Sequence, residues 1–82
     1  MREFLEFVIK GLVSRPETVN IREVRRSGML VYQVSVDEAD MGKVIGKNGV
    51  TINAIRSLVQ VGGARRGQRC AVEVNEAGGG RR

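Results

Sequence analysis

No histidine occurs anywhere in the 82-residue chain. That absence removes the side chain most used for proton transfer near neutral pH, and with it the commonest metal ligand. The one cysteine, Cys70, has no partner for an internal disulfide, which fits a reducing compartment. Tryptophan is absent, and Phe4, Phe7 and Tyr32 are the only aromatic residues. No apolar run approaches the roughly 20 residues that cross a bilayer, and the first residues lack the pattern of a secretory signal. A cytoplasmic protein with no membrane partner is therefore expected. The length suits one small domain with a thin two-layer core and excludes a deep active-site cleft.

Glycine, by contrast, is plentiful, with 11 residues, and its placement is informative. Gly46-Lys47-Asn48-Gly49 is a four-residue turn with glycine at both ends. Val44 and Ile45 precede it, and Ile52, Ile55, Leu58 and Val59 follow at helical spacing. Two helices joined by a backbone that a ligand can approach closely give this pattern. The second helix starts at residue 50 or 51 and aims its unpaired N–H groups at the turn, where hydrogen bonding and the helix dipole both attract anions. Lys47 adds a full positive charge at the tip.

Charge is distributed to match. The chain carries 14 Lys and Arg against 9 Asp and Glu. Between residues 41 and 72 the basic residues Lys43, Lys47, Arg56, Arg65, Arg66 and Arg69 occur with no acidic one. A solvated basic face serving solubility would show the same excess. A one-signed segment built around a glycine turn points instead to a phosphate backbone.

The rest of the chain reads as alternating helix and strand. Leu5, Val8, Ile9 and Leu12 form one stripe of a helix over residues 2–13, stopped by Pro16. Val19 and Ile21 alternate with polar residues, and Val24 falls out of phase, so a strand over residues 18–26 with a bulge near Arg22 is expected. Ser27-Gly28 is a turn. Leu30, Tyr32, Val34 and Val36 lie on one face of a second strand, with Val31, Gln33 and Ser35 on the other. Asp40 is placed to cap a short helix over residues 41–45. The helix from residue 50 is expected to end at Val61, before Gly62-Gly63. A basic loop over residues 64–67 leads to a third strand over residues 68–75. Residues 77–82 have nothing to bury and are expected to form a flexible tail, leaving residues 1–76 as the domain.

This element order, with G-x-x-G between the fourth and fifth elements, resembles the KH domain in its type II arrangement. The matching stretch is Val44-Ile45-Gly46-Lys47-Asn48-Gly49-Val50-Thr51-Ile52-Asn53-Ala54-Ile55-Arg56: two aliphatics, the glycine turn, two spacers, then isoleucine. From the first helix to about Asn75 the chain is similar to small stand-alone bacterial KH proteins. The resemblance implies an α+β fold, α-β-β-α-α-β, in which three helices pack on one face of a three-stranded mixed sheet. It implies a non-enzymatic binder of single-stranded RNA whose glycine loop clamps about four nucleotides. Gly46, Lys47, Asn48 and Gly49 would hold phosphate and sugar, with Lys43 beside them. Val44, Ile45 and Ile52 would form the groove floor or the core just beneath it. Arg25 and Arg26, next to the first strand turn, would meet the ligand from the far wall, and Arg56 would reach backbone. A homodimer, and a heteromeric complex with a second KH-type RNA-binding protein, are further implications.

Other chemistries fit less well. Gly42-Lys43-Val44-Ile45-Gly46-Lys47-Asn48 superficially suggests a nucleotide-binding P-loop, but it has three residues between the glycines where four are needed. Asn also follows the lysine where Ser or Thr must ligate magnesium. Asp37, Glu38 and Asp40 lack a histidine or a second acidic segment, so capping explains them better than metal binding. No cofactor or metal is expected. Cys70 reads as a small buried apolar residue. Leu58 is placed with Ile52, Ile55 and Val59 in the core. The shortage of aromatics predicts modest affinity and weak base discrimination, and RNA over single-stranded DNA rests on the resemblance alone. Assembly, with little recognition, remains the competing role.

Overall fold

The computed structural model describes residues 1–76; the expected tail at 77–82 lies outside the described residues. Helix α1 spans Arg2–Leu12 and turns Leu5 and Ile9 into the core. Its stop follows from Pro16, which bars Arg15 from helical geometry and opens a single 3-10 turn, Pro16–Thr18. Thr18 belongs to that turn, with its hydroxyl donating to the Arg15 carbonyl. Strand β1 therefore begins later than the alternation suggests, at Asn20, and runs to Arg26.

Strand β2 covers Met29–Val36 and pairs antiparallel with β1 in unbroken register from Asn20↔Ser35 to Arg26↔Met29. There is no bulge near Arg22. Val24 is out of phase because it faces away from the helices, opposite Val31. Val31 is nonetheless buried, since the Arg26–Glu73 ion pair (2.9 Å) reaches diagonally across it. Ser27 and Gly28 both take positive φ, as a two-residue hairpin turn requires.

The chain then crosses over through α2 (Met41–Ile45) and α3 (Val50–Arg65) to β3 (Arg69–Glu76), which pairs parallel to β2. The sheet order is β1-β2-β3, so β1 and β3 are its edges. All three helices cover one face. Leu5 and Ile9 of α1, Val44 of α2, and Ile52, Ile55 and Val59 of α3 join Ile21, Tyr32, Val34, Val36, Cys70 and Val72 in one core. This is the α+β arrangement of a type II KH domain.

Two expectations for α3 fail for identifiable reasons. The helix does not stop at Val61 but passes through Gly62-Gly63 to Arg65. Gly63 permits close packing there: a Cβ on it would lie 2.6 Å from both Cys70 Sγ and the Gln68 carbonyl. The stop comes later, at Gly67 with φ +70. Leu58 is not in the core, being 56% exposed, because α3 buries only the narrow stripe Ile52-Ile55-Val59-Gly63.

Candidate nucleic-acid interface

Gly46 leaves α2 with φ 78 and ψ 169, a conformation that strongly favours glycine. A side chain there would also overlap the Thr51 hydroxyl on the first turn of α3. Lys47–Gly49 form one tight turn in which Asn48 (φ 56) and Gly49 (φ 76) are both left-handed. The result is a compact, convex tip. Lys47 and Asn48 are exposed on it, and Lys47 has no ion-pair partner among the described residues. No side chain caps α3, so the positive end of its dipole faces this tip without a competing acid.

What holds the tip in place is a carboxylate whose role differs from the one expected. Asp40 does not cap α2 with its side chain. Fully buried, it turns back to the start of the α1–β1 connection, where Oδ1 accepts from the Ser14 N–H (3.1 Å) and hydroxyl (2.8 Å) and Oδ2 accepts from the Arg15 N–H (3.2 Å). These bonds, the Ser14 amide foremost, hold its carboxyl below the ordinary 3.8 despite burial, with Lys43 at 3.5 Å assisting. Asp37 caps the 3-10 turn Glu38–Asp40 that precedes α2, accepting from the Ala39 N–H at 2.9 Å. Sequence spacing locates such acids but not their partners, because Ser14 lies 26 residues away.

The remaining candidates divide by position. Ile45 sits at the mouth of the loop, 36% exposed. Val44 has no exposed surface and Ile52 almost none, so both belong to the core beneath. Lys43 shares its charge with Asp40. Arg56 projects from α3 to the free edge of β3, where its Nε donates to the Val72 carbonyl at 3.3 Å. The glycine loop, α3 and the unpaired edge of β3 thus border a candidate channel, with Arg56 between the loop and the far end of α3.

Arg25 and Arg26 precede the hairpin turn, which lies beside the start of β3 at the end of α3 remote from the glycine loop. They belong to β1, the opposite edge strand, and successive residues face opposite sides of the sheet. Arg26 is held by Glu73 on the helix-free face. Their turn sits beside the start of β3, where Gln68 Nε2 donates to the Gly28 carbonyl. The α3–β3 connection, with Arg69, stands at the end of α3 remote from the glycine loop. The basic run over residues 64–69 was the signal available for this in the sequence.

A different surface faces away from the channel. Phe4 of α1 and Leu58 and Val61 of α3 are 39%, 56% and 61% exposed and border one open groove, with Arg65 and Arg66 at its rim. No helix among the described residues is long and apolar enough to cross a membrane.

The chain matches the family model described as KhpA/KhpB, KH domain, over residues 2–74. It is similar to the RNA-binding protein KhpA of Chlamydia pneumoniae, 46% identical over 93% of this chain and 97% of that protein. The RNA-binding proteins KhpA of Listeria monocytogenes and Clostridium perfringens are 38% and 36% identical. The alignments cover 93% and 90% of this chain, and 100% and 99% of those proteins. No solved structure gives a significant match. With a glycine loop seated between α2 and α3 and a mixed sheet in the order β1-β2-β3, the chain belongs to the KhpA/KhpB family of KH domains.

Proposed function

We propose that this protein is a cytoplasmic, non-enzymatic binder of single-stranded RNA that grips the sugar–phosphate backbone at Gly46–Gly49. The carrying observation is the loop itself: positive-φ glycines bring Lys47, Asn48 and the uncapped start of α3 to one convex tip with no acid nearby. Relatives named as RNA-binding proteins support the reading. Phosphate sits at the tip, and the strand continues along α3 past Ile45 and Arg56. Three or four cations in contact (Lys47, Arg56 and Arg69, with Lys43 in part) give a slope of log affinity against log salt of about −2 to −3, from −0.7 per neutralised phosphate on a single strand. Fluorescence anisotropy of a labelled RNA across a salt series reads this slope, and a value near zero contradicts phosphate clamping. The same series with single-stranded DNA tests the preference for RNA.

The exposed Phe4–Leu58–Val61 surface favours a second, compatible reading, in which two copies pair through it. Arg65 and Arg66 at the rim complement Glu3 on the neighbouring face of α1, so a second copy brings acid to base as well as apolar to apolar. A short groove gains avidity when doubled. Sedimentation over a range of concentrations tests this. Leu58→Asp is expected to give a monomer that still binds RNA, and a parent that stays monomeric at high concentration contradicts pairing. A heteromeric complex with a second KH-type protein would use the same surface, and Leu58→Asp would abolish it too.

A further inference from the structure

The helix-free face of the sheet is a surface that the glycine loop does not use. Alternation fixes which side chains stand on it. Ile21, Val34 and Val72 enter the core, so Arg22, Gln33 and Glu73 point the other way as one cross-strand row. Arg26, Met29 and Arg69 form a second row. Between the rows, Val31 lies buried beneath the Arg26–Glu73 pair, and Gln33 Nε2 donates to the same carboxylate at 3.4 Å. Three arginines thus share the face with Glu73, the one acid that the three strands place there. Arg22 and Arg69 are exposed and have no ion-pair partner among the described residues. The Arg26–Glu73 pair is itself half-exposed, and exposed pairs are weak.

Composition decides what such a face can hold. The exposed large apolar side chains among the described residues, Phe4, Phe7, Ile45, Val50, Leu58 and Val61, all lie on helices. The sheet face offers none, and a protein interface without an apolar centre lacks its main driving force. It also offers no aromatic ring on which a base could stack, since Tyr32 faces the core. What remains is a set of guanidinium forks, which match phosphate oxygens whatever the bases attached. Their spacing suits a strand. Arg26 and Arg69 are two strands apart, about 10 Å, and Arg22 lies four residues along β1 from Arg26, about 14 Å. Three or four nucleotides bridge such gaps at about 3.4 Å each when stacked. Arg69 also opens β3 at the end of α3 remote from the glycine loop, where a strand lying along α3 arrives.

We propose that the helix-free face is a second phosphate-binding surface, which takes up the continuation of a clamped RNA as it turns around Arg69 and crosses Arg26 and Arg22. The proposal rests on the RNA-binding reading. Clamping at the loop presents the continuation at high local concentration, so a face too weak to hold RNA by itself is occupied once the strand is long enough. Glu73 limits the site by neutralising Arg26, and its removal strengthens binding.

The test is fluorescence anisotropy of two labelled oligo(U) strands, of roughly 6 and roughly 16 nucleotides, across a salt series on the full chain. The short strand reads the loop and α3 alone. The long strand is expected to bind more tightly, with a slope of log affinity against log salt steeper by about 1.4, from −0.7 for each of Arg22 and Arg26. A long strand also offers the loop more registers, but that statistical gain leaves the slope unchanged. Arg22→Ala is expected to remove about half of the added slope, and Arg22→Glu more, with short-strand binding unaltered. Glu73→Gln is expected to tighten the long strand about threefold and leave the short one as it was. Lys10→Glu, on the exposed side of α1, repeats the charge change of Arg22→Glu away from both surfaces, and melting curves confirm each fold. Equal slopes for the two strands, Arg22 variants that keep the parent's slope, or an equal loss in Lys10→Glu overturn the second surface. A Lys47→Asp, Asn48→Asp protein separates the two readings. If it loses the short strand while Arg22 variants change nothing, the clamp stands and the sheet surface falls. If it binds the short strand like the parent while Arg22 variants weaken the long one, the clamp falls and the sheet surface stands.

Discussion

Asp40 joins the segment after α1 to the start of α2, and its ionisation is built into the fold. Its folded carboxyl is depressed below 3.8, chiefly by the Ser14 amide. As pH falls, the unfolded chain takes up the proton first. The stabilisation is therefore complete well above pH 3.8 and is lost as pH drops through the lower, folded value. Melting temperature against pH should fall steeply on this acid limb, and Asp40→Asn should flatten the limb while lowering stability near neutrality. A variant with the parent's pH profile would show that the acid limb arises elsewhere. The sequence marked Asp40 as a helix-capping acid, since spacing reveals neighbours along the chain. Its actual partners come from the end of α1, which only tertiary packing brings near.

The glycine pair of α3 shows at the element scale what local rules miss. Gly62-Gly63 looks like a helix stop because glycine is the usual C-terminal residue. Each costs about 1 kcal/mol against alanine inside a helix, yet the helix runs on, because a bare backbone at Gly63 allows the approach of β3 at Cys70. Gly63→Ala is expected to destabilise by about 1–3 kcal/mol through overpacking against the Gln68 carbonyl. Gly62→Ala meets only the flexible end of the Met1 side chain, so it should be neutral or mildly stabilising. Urea denaturation of both distinguishes them, and equal effects would contradict the packing account. The glycine loop was legible for the opposite reason: its geometry is local, set by residues 46 to 51. Val24 and Leu58 were misplaced because periodicity fixes which residues share a face, but not what covers that face.

For the whole molecule, the order of elements and the one-faced sheet could be read from alternation, turns and glycine spacing, together with the KH resemblance. The channel could be read only in part. Arg25 and Arg26 belong to β1, the edge strand away from β3. Arg56 and the α3–β3 connection lie instead along the path proposed for the strand. Backbone clamping at Gly46–Gly49 is the central claim. It is tested most directly by the affinity of a short labelled single-stranded RNA for the parent and for Lys47→Asp, Asn48→Asp. Both glycines remain in that variant, and circular dichroism verifies that the fold does too. Two carboxylates at the tip should abolish binding with the spectrum unchanged. Equal binding by the two proteins would contradict the account and leave the loop a purely structural turn.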